Sequence, residues 1–352
     1  MSLGHTRQDR VNTVYGGGGH IVILGAGASV ASTLRNPLAN GKRLPLMNDF
    51  IDVVDLTDII NTLPNHIKSE NFEVLYSNLF LDNPNSKQIK EIEKRVYDYF
   101  KTLKLPDKPT IYDYLVLSLR SKDLIATFNW DPFLYQAWSR NHDVGDRPYI
   151  AFLHGNVAIG YSSIDKRCGP AGMYAKATKN YMHPTKLLFP VTQKNYTQDD
   201  FIKSQWAMFE DFLADKNVKL MTVFGYGAPD TDNEAIQRMH KAWGGAKVRN
   251  MEQFEIIDIR PEGEVVKQWK KFIESHHYDY SNNFFDSTLA YNPRRTSESY
   301  FQHILPMTID EAFSNSNPVP SNFKTLQELQ NWFKPLIDME NKWKEEGKKS
   351  SS

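Results

Sequence analysis

Short apolar runs alternating with amphipathic helical stretches constrain this chain more than any other feature. His20–Leu24, Leu124–Thr127, Ile150–Leu153, Leu220–Phe224 and Phe254–Ile259 are each too short for a helix, and they read as buried parallel strands. Between them, apolar residues recur at spacings of three and four. Ile89, Ile92, Val96, Phe100 and Leu103 form one such face, and Ile202, Trp206, Phe209 and Leu213 another. Strand alternating with helix predicts an α/β fold, with a doubly wound, mostly parallel sheet covered on both sides. Such sheets bind ligands beyond the carboxyl ends of their strands, which directs attention to the loops there.

Two stretches exceed what a minimal sheet of this kind needs, a helical insertion at about 48–120 and a loop-rich one at about 156–196. The expected organisation is a flexible tail over 1–19, a nucleotide-binding domain over 20–280 carrying both insertions, and an extension over 281–352. Leu326, Leu329, Trp332, Phe333, Leu336 and Ile337 predict a terminal helix, which Pro335 is expected to kink or split.

Five strand ends carry residues capable of chemistry. Ile21–Leu24 runs into Gly25-Ala26-Gly27-Ala28-Ser29, a glycine turn opening a helix. Free amides and the helix dipole there suit a pyrophosphate, and a purely steric turn is the competing reading. This turn makes the sheet Rossmann-like in expectation. The second strand ends in Thr127-Phe128-Asn129-Trp130-Asp131-Pro132. Asp131 before Pro132 reads as a helix cap, which leaves Asn129 unexplained: its amide suits a ribose hydroxyl, a water or the loop itself. The third ends in His154-Gly155-Asn156, where an imidazole near neutral pH can take or relay a proton, or can simply be packed. The fourth ends in Phe224-Gly225-Tyr226-Gly227, where a ribose or adenine can lie against the backbone; Thr231 and Glu234 downstream are spaced as a capping box. Beyond the fifth, Asp258 can accept from ribose hydroxyls or pair with Arg260.

The balance of charge narrows the partners. Lys plus Arg and Asp plus Glu are 42 each, so no global field draws the chain to nucleic acid or anionic lipid. Cys168 is the single cysteine, which excludes an internal disulfide and any zinc site needing two thiolates from this chain, and no metal is expected. A cytoplasmic home is expected, and no apolar run is long enough to span a bilayer. A homo-oligomer is left open.

Taken in order, these motifs resemble the sirtuin-like (SIR2-like) family, and in particular a bacterial NAD-hydrolysing branch without the zinc ribbon. The resemblance runs from Ile21 to about Ile273. It rests on Gly25-Ala26-Gly27-Ala28-Ser29, Thr127-Phe128-Asn129-Trp130-Asp131, Leu153-His154-Gly155, Pro190-Val191-Thr192-Gln193-Lys194, Trp206, Gly225-Tyr226 and Pro229-Asp230-Thr231-Asp232. It implies NAD+ as substrate and partner. Asn129 would position the nicotinamide ribose and a water, Asp131 the carboxamide, and His154 would be general base or orienter. Gly25, Ala26, Gly27 and Ser29 would hold the pyrophosphate, with Thr127 and Trp130 in the same cofactor-binding element and Gly225, Tyr226 and Asp258 on the adenosine side. With one cysteine the four-cysteine ribbon of the deacylases is absent, so water is the expected acceptor, giving nicotinamide and ADP-ribose. The resemblance further implies a role in antiviral defence and an activating protein partner. A zinc-free deacylase, an ADP-ribosyl transferase and a non-catalytic NAD or ADP-ribose sensor stand as alternatives.

Overall fold

A computed structural model of the protein describes residues 7–14, 18–33, 42–47, 49–191, 194, 196–229, 232–249, 251–274, 278–301 and 317–350. The first sheet strand, β1 (His20–Leu24), leads into α2 (Ala26–Thr33), and a short helix α1 (Arg7–Asn12) precedes both. Five helices follow: α3 (Phe50–Val53), α4 (Thr57–Asn61), α5 (Phe72–Asp82), α6 (Lys87–Lys101) and α7 (Ile111–Ser118). The sheet resumes with β2 (Leu124–Thr127), α8 (Phe133–Arg140) and β3 (Tyr149–Phe152). The second insertion holds small antiparallel strands, β4 (Ile159–Ser162), β5 (Arg167–Pro170), β6 (Tyr174–Ala175), β7 (Asn180–Tyr181) and β8 (His183–Pro184), so it is more ordered than the loops expected there. Next come α9 (Asp200–Ala214), β9 (Leu220–Phe224), α10 (Asn233–Trp243), β10 (Gln253–Ile257), α11 (Glu262–Trp269) and β11 (Tyr278–Ser281). After these lie α12 (Thr288–Tyr291), α13 (Thr296–Ser299) and a C-terminal helix, Leu326–Ser350.

The large sheet is parallel throughout, in the order β11-β10-β9-β1-β2-β3. Counting only its own strands, this is the 3-2-1-4-5-6 order of doubly wound dinucleotide-binding sheets, whose direction of winding reverses between the first and fourth strands. Here that reversal lies between β1 and β9.

Alternation along each strand separates two cores. Val22, Leu24, Ile125, Phe224 and Ile257 face α2, the helical insertion, α8 and the C-terminal helix. Ile21, Ile23, Leu124, Ala126, Met221, Val223 and Ile256 face α9, α10 and α11. One buried polar chain crosses three neighbouring strands: His20 Nε2 meets Thr222 Oγ1 at 2.8 Å, Thr222 Oγ1 donates to Glu255 Oε2 at 2.8 Å, and Thr288 N donates to Glu255 Oε1 at 2.7 Å.

Three differences from the sequence reading concern the periphery. Residues 7–12, placed in a flexible tail, form α1, whose Val11 is buried and whose Arg7 donates to Trp332 O at 2.9 Å. Pro335 lies inside one continuous helix and does not split it. A buried ionic clamp holds the turn that follows Pro335. Glu340 accepts from Arg294 Nη2 at 2.5 Å and Arg295 Nη1 at 2.6 Å, while Arg295 Nη2 reaches Leu336 O and Val11 O. Burial alone would raise the Glu340 carboxyl, but Arg294, Arg295 and Arg120 hold it down at about 2. The third difference is a sixth strand, β11, at the sheet edge.

Candidate functional site

Two turns interlock at the winding reversal. Gly25 N donates to Phe224 O at 3.1 Å, and Gly27 N donates to Gly225 O at 3.0 Å. Gly225 has φ +60, and a Cβ built there would lie 2.3 Å from the Ala28 amide nitrogen; one on Gly25 would lie 2.6 Å from Gly225 O. Only glycine permits this approach. The steric reading of the turn is therefore realised, and the amides of Gly25, Gly27 and Ala28 are all used within the protein. Ala26 and Gly27 themselves are exposed at the amino end of α2, where the dipole still favours an anion.

The turn after β2 is tied to the first one. Asn129 Nδ2 donates to Gly25 O at 2.7 Å and to Ser29 Oγ at 2.9 Å, with Tyr112 OH at 3.3 Å. Ser29 Oγ donates to Asp131 Oδ2 at 2.7 Å and lies 2.7 Å from Tyr112 OH. One assignment of protons satisfies Ser29 and Gly25: Tyr112 and one amide proton of Asn129 go to Ser29, Ser29 donates to Asp131, and the second amide proton of Asn129 goes to Gly25 O, leaving Tyr112 OH as a neighbour of that amide. Burial pushes Asp131 up to about 6, against the hydrogen bonds from Ser29 and Phe133 N that favour its anion. Asn129 is half-buried, and its Oδ1 makes no hydrogen bond among the described residues.

The turn after β3 completes the rim. Asn156 Nδ2 donates to Asn129 O at 3.2 Å and Asp131 O at 2.6 Å. Gly155 has φ +78, and its missing side chain lets Lys186 O approach to 1.9 Å of where a Cβ would stand. His154 packs edge-on against Phe128, with centroids 4.8 Å apart, and its Nε2 lies 3.2 Å from Tyr196 OH and 3.9 Å from Asp232 Oδ1. Burial pushes the imidazole down to about 4, with Asp232 opposing and Lys194 assisting, so it is neutral at physiological pH.

Several expected positions have other duties. Thr127 Oγ1 accepts from Asn129 N at 3.1 Å and so shapes the turn from within. The Trp130 ring sits among Phe50, Phe100 and Phe189, anchoring the helical insertion; strand alternation ends at Thr127, and the turn that follows sends Trp130 to the face opposite Phe128. Ser29 and Asp131 are buried behind Asn129; Asp131 Oδ1 accepts from Phe133 N, but the cap position falls one residue later than the sequence suggests, on Pro132, and the helix starts at Phe133. Tyr226 stacks on Phe128 at 4.3 Å and donates to Asp232 Oδ2 at 2.7 Å, which places it in the His154 cluster. Asp258 forms the ion pair with Arg260 at 2.6 Å, beside a surface recess of about 670 Å³ lined by Arg260, Glu262, Tyr280 and Asn282. That recess lies beyond β10 and β11 and includes neither Asn129 nor His154. Thr231, of the expected capping box, and Thr192 and Gln193 lie outside the described residues. Tyr112 and Tyr196 were not singled out by the sequence reading; each is far along the chain from the motif it supports.

No protein-family model matches the chain, and no curated protein matches it. Among solved structures, one described as the structural basis for the mechanism and regulation of Sir2 enzymes is 13% identical with a TM-score of 0.34, covering 70% of this chain and 82% of its own. A Sir2 homolog–NAD complex is 12% identical with a TM-score of 0.33, covering 79% and 89%. A mutant Sir2 homologue in complex with ADP-ribose is 14% identical with a TM-score of 0.36, covering 72% and 86%. Values of this size leave the chemistry to be read from this chain's own side chains.

Proposed function

We propose that the protein is a sirtuin-like enzyme that binds NAD+ across the crevice at the winding reversal and hydrolyses its nicotinamide–ribose bond. The observation that carries this reading is the hydrogen-bonded rim: Asn129 joins the first turn to the second, and Asn156 joins the second to the third. These bonds between neighbouring turns support reading the three motifs as parts of one site near the winding reversal, where doubly wound sheets bind dinucleotides.

In this reading the pyrophosphate lies over exposed Ala26 and Gly27 at the amino end of α2. The open Oδ1 of Asn129 accepts from a ribose hydroxyl or the attacking water. The bond from ribose C1′ to the pyridinium nitrogen breaks with its electron pair leaving on neutral nicotinamide, so the main demand is stabilisation of an oxocarbenium-like centre. Water oxygen bonds to C1′, and its proton passes through neutral His154 to solvent; nicotinamide, ADP-ribose and one proton result. Asp131 acts from behind, holding Ser29 and through it Asn129. Adenosine extends towards Gly225, Asp258 and the recess beyond β10. The single cysteine, Cys168, favours water over acyl-lysine as acceptor, since a four-cysteine ribbon cannot form.

The test is nicotinamide release from NAD+, followed chromatographically for the native protein, Asn129→Ala and His154→Ala, with acylated peptide in parallel tubes. Each variant is expected to lose at least about 100-fold. Release only with peptide makes the protein a deacylase, transfer of ADP-ribose to protein makes it a transferase, and saturable NAD+ binding without release makes it a sensor.

A further inference from the structure

His154 is buried against more than packing partners. Lys194 donates to Asp232 Oδ1 across a very short contact, and Tyr226 donates to Asp232 Oδ2 at 2.7 Å, so both carboxylate oxygens are held in place. Oδ1 also faces His154 Nε2 at 3.9 Å, with the Tyr196 hydroxyl 3.2 Å from the same nitrogen. All five groups are buried. From α10, Arg238 lies over the rings of Tyr196 and Trp206, and Glu234 also acts on Tyr196. His154 Nδ1 makes no hydrogen bond among the described residues.

We propose that Asp232, braced by Lys194 and Tyr226, is a positioning residue for His154: its fixed anionic oxygen favours a proton on Nε2 and leaves Nδ1 as the lone pair turned to the ligand. The inference rests on the reading of His154 as the group that faces NAD+. A carboxylate behind an imidazole selects the tautomer and stabilises the imidazolium that forms when the outer nitrogen takes a proton. Lys194 has the complementary duty. By neutralising Asp232 it keeps the resting imidazole uncharged, so the base is ready before substrate arrives. Neither residue needs to touch NAD+.

The experiment uses full-length protein labelled with ¹⁵N-histidine, without NAD+. Long-range proton–nitrogen correlation spectra report the tautomer and titration of His154, whose signals are identified by their loss in His154→Gln. The native protein is expected to show the Nε2–H form. Asp232→Asn is expected to weaken that preference and to lower kcat about tenfold with KM for NAD+ within twofold. Lys194→Met, which leaves Asp232 in place, is expected to raise the His154 midpoint by about one pH unit and to move the acid limb of kcat/KM upward in parallel. An Nδ1–H tautomer in the native protein overturns the proposal. So does an unchanged midpoint in Lys194→Met whose near-ultraviolet circular dichroism matches the native chain. Spectra that behave as expected in a protein that never releases nicotinamide support the positioning and overturn the hydrolase reading, so the two fail separately.

Discussion

Replacing Glu255 with Gln should make the protein more stable in alkali and no more stable in acid. Glu255 is buried in the sheet and pushed up to about 7, from an ordinary value of 4.5, chiefly by desolvation, against hydrogen bonds from Thr288 N and Thr222. That difference corresponds to about 3 kcal/mol. Because the folded value lies above the unfolded one, the native state holds this proton more tightly. The stabilising effect is complete below pH 4.5 and is lost as the pH rises through 7. Gln reproduces the protonated side chain. Its oxygen accepts from Thr288 N and its amide donates to Thr222, whose proton then turns to His20 Nε2. Urea unfolding of both proteins, followed by tryptophan fluorescence at half-unit steps from pH 5 to 8.5, gives the difference in stability directly. His20 and His154, which burial holds at about 4, gain stability as the pH rises through 4 to 6.5. Subtracting the two unfolding curves cancels that opposing trend. The Gln protein should exceed the native one by less than about 1 kcal/mol at pH 5 and by about 3 kcal/mol near pH 8. A difference that does not vary with pH would refute the reasoning.

Three further outcomes follow from contacts already described. Tyr112→Phe removes the donor to Ser29 and the neighbour of Asn129, and should cost about 1–2 kcal/mol of stability and about tenfold in nicotinamide release; unchanged turnover would detach Tyr112 from the site. Gly225→Ala meets both a positive φ and the Ala28 amide at 2.3 Å, and should cost at least about 2–3 kcal/mol, read as a lowered urea midpoint. Glu340→Gln removes the charge that balances Arg294 and Arg295, and should cost about 3–5 kcal/mol; a loss below about 1 kcal/mol would mean those guanidinium groups find other partners.

The sheet was readable in the sequence because buried parallel strands are apolar on both faces, and the five runs match β1, β2, β3, β9 and β10 to within a residue or two. The sixth, Tyr278-Asp279-Tyr280-Ser281, escaped because, unlike the other edge strand β3, it carries no apolar run and none of its residues is fully buried. Thr127 and Trp130 fall in a recognisable motif, yet their side chains serve the turn and the insertion. A motif's spacing says which residues share a loop, and only the path of the turn decides which of them faces outward. Asp258 showed the same limit, since both its readings were visible in the sequence and Arg260 takes it in the structure. The partners of Asn129 and His154 lay deepest. Tyr112 and Tyr196 come from the two insertions, and ordinary tyrosines carry no sign of which distant amide or imidazole they will meet.

The position of β1 has a consequence for how the chain acquires its shape. As it leaves the ribosome, this apolar strand waits about a hundred residues for one neighbour and about two hundred for the other, because β2 begins at Leu124 and β9 at Leu220. Until Phe224 has emerged, one full edge of the central strand is open to any other extended chain. Pairing over such distances is slow, and slow pairing with an open apolar edge invites aggregation. Yield of soluble protein should therefore depend on temperature and on chaperone supply during synthesis more than on the stability of the finished molecule.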